Sequence, residues 1–169
     1  LGPDRVRAGD VLIAMASSGL HSNGYSLARR VLMPDDARLA AYADDLGRTI
    51  GEELLEPTRI YARDCLALAD ALDVHALAHV TGGGLAANLA RVLPSSLAAD
   101  VDRATWSPSP VFDRIMREGQ IERAEMERTF NQGVGMVAVV PESDAQQAIT
   151  LLRDRDLDAW VCGRVRDLS

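Results

Sequence analysis

The apolar residues of the chain fall into two kinds of run, unbroken and periodic. Val11-Leu12-Ile13-Ala14-Met15-Ala16 is unbroken and follows a Gly9-Asp10 turn signal, which predicts a strand buried on both faces. Gly133-Val134-Gly135-Met136-Val137-Ala138-Val139-Val140 predicts a second, and glycines inside such a run mark a bulge or a close approach of backbone. Shorter strands are expected at 76–80, 97–101 and 158–165. Helical spacing joins Leu27, Ala28, Val31 and Leu32, and again Leu85, Leu89, Val92 and Leu93. Tyr61, Cys65, Leu68 and Leu72 share a third face, with Thr58 as its N-cap. Val111, Phe112, Ile115 and Met116 precede a stop at Gly119, a short helix covers 121–128, and Ala145, Ala148, Ile149 and Leu152 line the last helix. Ser22 or Asn23 is the expected cap of the first helix. The acidic stretch 34–51 predicts a short helix near 38–46 and a surface loop. Its Asp35, Asp36, Asp44 and Asp45, with the neighbouring Glu52 and Glu53, read as a solvated face rather than a metal site. Strands and helices do not alternate strictly. The expected class is α+β, a mixed β-sheet with packed helices, rather than a doubly wound sheet.

Composition narrows the chemistry. The 169 residues suit one domain, and a net charge of −7 argues against a nucleic-acid partner. All eighteen basic residues are arginine. A phosphate site must therefore use arginine, backbone amides or hydroxyls, and a P-loop is excluded because it needs its lysine. No apolar run approaches the ~20 residues of a membrane span, and no signal peptide is visible. Cys65 and Cys162 lie far apart without metal-ligand spacing, as expected of thiols in a reducing cytoplasm. The opening Leu1-Gly2-Pro3 lacks an initiator methionine, so a part of a longer chain is expected.

Candidate chemistry gathers where apolar strands end. His79-Val80-Thr81-Gly82-Gly83-Gly84 runs from a strand through a glycine turn to a helix start, an arrangement that presents bare N–H groups to a phosphate. A ligand-free turn is the alternative. Ser17-Ser18-Gly19-Leu20-His21-Ser22-Asn23-Gly24 follows the first strand and has His21 as its only titratable side chain. Arg59, placed in the first turn of a helix, opposes the helix dipole and calls for a specific partner. Of His75 and His79, only His79 adjoins the glycine turn, so His75 is expected to be structural. Asn131, at the mouth of a strand, offers both a donor and an acceptor.

Four stretches carry a resemblance: Ser17 to Ser26, Pro57-Thr58-Arg59-Ile60-Tyr61, His79 to Gly84, and Arg128-Thr129-Phe130-Asn131-Gln132-Gly133-Val134-Gly135-Met136. In this order they closely resemble the C-terminal domain of the aminoimidazole ribonucleotide synthetases, also called phosphoribosylformylglycinamidine cyclo-ligases. The resemblance runs from about Gly9 to Gly163. It implies a purine-biosynthesis ligase that uses ATP to close the imidazole ring, releasing ADP and phosphate. The substrate amide oxygen is activated by phosphorylation, and an amine nitrogen displaces the phosphate. It further implies that residues 1–169 are a single C-terminal substrate-binding domain, lacking the N-terminal domain that supplies most contacts to ATP and Mg2+ and most of a homodimer interface. This chain alone would then be inactive and hold no cofactor tightly. Its partners would be the phosphoribosyl substrate and the N-terminal domain, in the cytoplasm, with no nucleic acid and no membrane. The implied catalytic residues are His21, as acid or base, and Asn131, orienting the substrate amide. The implied substrate-binding residues are Ser18, Gly19, Ser22, Asn23, Arg59, His79, Thr81, Gly82, Gly83 and Gly84. Formylglycinamidine synthetase, selenophosphate synthetase, thiamine-phosphate kinase and a hydrogenase-maturation factor share the fold plan, but the intact Ser-Ser-Gly-Leu-His-Ser-Asn-Gly and Thr-Phe-Asn-Gln-Gly-Val-Gly runs favour the cyclo-ligase. A non-enzymatic module binding a phosphorylated metabolite is the competing class.

Overall fold

The computed structural model describes residues 1–168. In chain order its regular elements are β1 (Val11–Ala16), α1 (Tyr25–Leu32), β2 (Tyr42–Ala43), β3 (Arg48–Thr49), α2 (Ile50–Leu54), α3 (Ala62–Ala71), β4 (Ala76–His79), α4 (Gly84–Ala90), β5 (Leu97–Val101), α5 (Pro110–Gly119), α6 (Arg123–Thr129), β6 (Val134–Val140), α7 (Ala145–Arg153) and β7 (Ala159–Asp167).

The two unbroken apolar runs lie side by side. β1 is the middle strand of a five-stranded sheet ordered β4-β6-β1-β7-β5. Its alternate side chains serve two cores, which is why the run shows no polar alternation. Val11, Ile13 and Met15 pack with Leu68 of α3 and with Ala148 and Leu152 of α7. Leu12 and Ala14 pack with Val137, Val139, Cys162 and Leu89 of α4. A third cluster, built from Ala28, Leu32, Ile50, Phe112, Ile115, Met126 and Phe130, joins α1, α2, α5 and α6. The α+β class is as expected, but every pairing in the sheet is antiparallel rather than mixed. β6 and β7 separate the three strands that share a direction, so no two parallel strands are neighbours.

That direction pattern positions the loops. β1 and β4 both end, and β6 begins, at the same edge of the sheet. The chain segments after Ala16, after His79 and before Val134 therefore emerge together. A bulge sharpens the arrangement: Met15 pairs with Met136 and Ala16 with Val134, leaving Gly135 as the extra residue on β6.

The expected helix near 38–46 is replaced by a 3-10 turn at Asp36–Ala40 and the β2–β3 hairpin. Gly47 takes a positive φ of 68° in the hairpin turn, and Thr49 and Glu52 form a capping box that starts α2. Glu53 is not part of a solvated face. It is 4% exposed and ion-paired with Arg48. Thr58 does not cap α3: its hydroxyl lies against that of Ser22, and the helix begins only after Tyr61. The N-cap of α1 is neither Ser22 nor Asn23 but Gly24 in the left-handed region, where a Cβ would meet the Phe130 ring.

Candidate functional site

Asn131 ties two of the converging loops together. Its Nδ2 donates to the carbonyls of Gly19 (2.9 Å) and Leu20 (3.3 Å). Its Oδ1 accepts from the Ser17 hydroxyl (3.0 Å) and the Gly133 amide (2.8 Å). Both ends of the side chain are thus engaged by the protein itself, and the residue is buried. A segment between α2 and α3 straps the same loop from the other side. Ser18 donates to the Pro57 carbonyl at 2.7 Å, and the hydroxyls of Ser22 and Thr58 lie 3.2 Å apart.

His21 sits inside this frame with a φ of 56° and 5% exposure. Its Nε2 accepts the Ser18 amide proton at 3.1 Å. A neutral ring that accepts at Nε2 carries its proton on Nδ1, and Nδ1 is buried with no hydrogen-bond partner. Burial first, then the nearby His79 and Arg59, lowers the His21 pKa to about 4. The imidazole is therefore neutral at physiological pH and presents an unmatched N–H donor.

The glycine turn divides in two. Gly84 is packed: its φ is 70°, and a Cβ there would lie 1.7 Å from the Glu127 carbonyl of α6. The Gly84 amide donates to the Thr81 carbonyl at 3.1 Å, and the Thr81 hydroxyl donates to Asn88 Oδ1 at 3.2 Å. Asn88 in turn donates to the Gly84 carbonyl at 2.7 Å. Gly82 and Gly83 are exposed, and among the described residues nothing accepts from their amides. Asn23 faces them, its Oδ1 lying 3.6 Å from where a Gly82 Cβ would stand. An open hollow beside Ser22 and Asn23 continues to Arg30 and Thr129.

Arg59 is half-buried in the extended strap rather than in a helix, and it donates to the Asp156 carbonyl at 3.2 Å. His79 is exposed beside the Tyr61 ring. His75 is apart from the cluster. Its two ring nitrogens face Asp10 (2.7 Å) and Asp73 (3.2 Å), the structural role expected of it. Cys65 and Cys162 are free, and burial pushes their pKa values up to about 11 and about 12. Among the described residues no group of three or more His, Cys, Asp or Glu is arranged to hold a metal. Among the described residues no helix is long and apolar enough to cross a membrane.

Two residues of the cluster were read from the sequence only for packing or backbone. Tyr61 was expected on a helix face, yet its hydroxyl donates to the Ala16 carbonyl at 2.7 Å and its ring lies between His21 and His79. Gly135 was expected to mark a close approach. What approaches is the Tyr61 hydroxyl, 1.9 Å from a Cβ placed there, with His21 Cε1 at 2.7 Å. A glycine two positions inside an apolar strand was the available signal.

An antiparallel sheet with helices on it, and three polar loops emerging at one edge, defines an α+β domain. Residues 7–168 match the family described as "AIR synthase related protein, C-terminal domain", and the chain belongs to that family. A Streptomyces fradiae protein provisionally named phosphoribosylformylglycinamidine cyclo-ligase is 59% identical over 96% of this chain and 90% of its own length. The phosphoribosylformylglycinamidine cyclo-ligases of Nitrosococcus oceani and Anaeromyxobacter sp. strain Fw109-5 are 47% and 53% identical over 95% of this chain. The chain spans only 44% and 46% of those two relatives. Among solved structures, thiamine-monophosphate kinase from Stenotrophomonas maltophilia superposes over 99% of this chain and 50% of its own, at 21% identity and a TM-score of 0.65. The hydrogenase maturation protein HypE in complex with ATP does so over 99% and 45%, at 21% and 0.64. These two likenesses establish the fold. The resemblance to the cyclo-ligases read from four motifs is borne out in family.

Proposed function

We propose that this chain is the substrate-holding half of an ATP-dependent phosphoribosylformylglycinamidine cyclo-ligase, working with an N-terminal half like that of its longer relatives. The observation that carries the reading is the convergence of the loops after β1 and β4 and before β6, with the unmatched Nδ1–H of His21 inside the cluster. ATP supplies the phosphoryl group that turns the substrate amide oxygen into a leaving group. The N-terminal half binds ATP and Mg2+ and carries most of the homodimer contact, as the resemblance to the cyclo-ligases implies. The setting is the cytoplasm.

The chain's own groups then divide the work. The exposed amides of Gly82 and Gly83, with the Asn23 side-chain amide, bind the anionic oxygens of a phosphoribosyl substrate. Gly84 and Thr81 hold that turn in shape, and His79 borders it. In ring closure the amine nitrogen bonds to the carbon, the C–O bond breaks and its electron pair leaves with the phosphate; His21 donates a hydrogen bond from Nδ1 to that departing oxygen, a task for a neutral donor screened from water. Asn131, Ser18, Gly19 and Ser22 fix the loop that carries His21, and Arg59 adds a positive field at its edge. With both ends of its side chain bonded within the protein, Asn131 acts on the substrate by positioning the loop that carries His21.

The test is ATP-dependent formation of aminoimidazole ribonucleotide by a two-domain enzyme containing this chain, comparing wild type with His21→Asn, a residue that tolerates positive φ. Losing one such donor costs roughly 10²–10³ in kcat. An unchanged kcat in the folded variant contradicts the assignment.

A further inference from the structure

Tyr61 occupies the N-cap of α3 without capping it. It makes no side-chain bond to the first turn, a position where Ser, Thr, Asp or Asn is favoured. Its contacts point to the loop cluster instead. The residue is 4% exposed. Its ring centroid lies 6.0 Å from that of His21 and 6.3 Å from that of His79. Its hydroxyl donates to the Ala16 carbonyl at 2.7 Å, at the point where β1 becomes the His21 loop. On the far side, Gly135 leaves room for both rings at once, as any Cβ would collide with the Tyr61 hydroxyl and with His21 Cε1. The end of β1, the His21 loop, the start of α3 and the β6 bulge therefore meet on one pair of rings.

We propose that Tyr61 is a positioning residue for His21: its ring closes the imidazole off from water, and its hydroxyl anchors the strand end from which the His21 loop departs. This rests on the reading of His21 as the donor in a cyclo-ligase site. The groups facing His21 are the Ser18 amide at Nε2, Tyr61 from α3, His79 from β4 and Arg59 from the strap. The last two repel a second positive charge, and Tyr61 supplies the wall that makes the repulsion felt. On its own helix Tyr61 faces Asp64 and Cys65, and burial raises its phenol far above the ordinary range. The phenol is a fixed donor to Ala16, with no part in proton transfer.

The experiment follows the imidazole by NMR from pH 3 to 8 in this chain, which has three histidines and is assigned with His21→Asn. Removing the ring in Tyr61→Leu raises the His21 midpoint by at least one unit, a tenfold change in protonation. Keeping the ring in Tyr61→Phe leaves it low. An unchanged midpoint in folded Tyr61→Leu overturns the proposal. Should Tyr61→Leu fail to fold, amide exchange in Tyr61→Phe decides. Loss of the bond to Ala16 speeds exchange at Ser17 and Ser18 about tenfold relative to β5, and equal rates overturn the proposal. Full activity of His21→Asn in the two-domain enzyme, alongside a shifted midpoint in Tyr61→Leu, defeats the cyclo-ligase role of His21 and leaves the positioning intact.

Discussion

Asn131 Nδ2 stands 2.9 Å from the carbonyl oxygen of Gly19, a residue 112 positions earlier in the chain. One amide group therefore holds the β1 loop against the mouth of β6. Truncation in Asn131→Ala removes all four of its bonds and leaves two buried carbonyls and an amide short of partners. Each unmatched group costs about 1–3 kcal/mol, and neighbouring groups relax in part, so a net loss of about 2–4 kcal/mol is expected. Calorimetry should show Tm falling by roughly 5–15 °C. Asn131→Asp keeps the acceptor but loses the donor to Gly19 and Leu20, and it is expected to be at least as damaging.

His21 gives the fold a specific pH dependence. Its folded-state pKa is lowered to about 4, while the unfolded chain binds the same proton near 6.5. Between those values the unfolded state holds more protons, so this contribution to stability is complete above about pH 6.5. It is lost as pH falls through that window and is gone below about 4. At about 1.4 kcal/mol per unit, less relaxation, the span is worth roughly 2–3 kcal/mol. Urea melts at pH 4.5 and pH 7 should differ less in His21→Asn than in wild type by about that amount. Equal differences in the two proteins would mean that the imidazole is free to charge in the fold.

Gly84 and Gly47 separate backbone strain from packing. Their φ angles are nearly the same, 70° and 68°, so alanine meets the same left-handed penalty at both. Nothing lies within 4 Å of a Cβ at Gly47, whereas one at Gly84 runs into the Glu127 carbonyl. Gly47→Ala is expected to cost about 1 kcal/mol. Gly84→Ala should cost several times more, because α4 and α6 must separate, and should also disturb the Gly82 and Gly83 amides. Chemical denaturation of the two variants side by side measures the difference.

The Arg48–Glu53 pair supports the strap from below. Glu53 is buried, Arg48 bonds it through Nε at 2.7 Å, and Arg48 also reaches Glu56 at 2.6 Å. Arg48→Ala strands a buried carboxylate and should destabilise the chain by about 3 kcal/mol. Replacing the pair, Arg48→Met with Glu53→Leu, should recover most of that loss in a double-mutant cycle. A double variant no better than the single would show that Arg48 acts on Glu56 alone.

The sheet and the loop cluster were legible to different depths. β1 and β6 stood out because burial on both faces leaves no polar residue in the run, and α7 because its apolar stripe is uninterrupted. The β2–β3 hairpin was missed because strands of two residues are too short to show any period, although Thr49 and Glu52 carry the spacing of a capping box. Thr58 had the chemistry of a cap, but its hydroxyl meets Ser22 in the strap and the helix starts at Ala62. The site loops were visible as polar segments at strand ends. What the sequence could not convey was division of labour within them. Gly82, Gly83 and Gly84 look alike until α6 lies on the third. Tyr61 fits a helix stripe equally well whether its ring meets a leucine or His21.

The central claim is that the joined loops form a phosphoribosyl site, and the most direct measurement is a ribose 5-phosphate titration of the isotope-labelled chain followed at every backbone amide. The account predicts saturable shifts centred on Gly82 and Gly83, extending to Ser22, Asn23 and the Asn23 side-chain amide, with β5 and α7 unmoved. Saturable shifts elsewhere, with Gly82 and Gly83 silent, would contradict it.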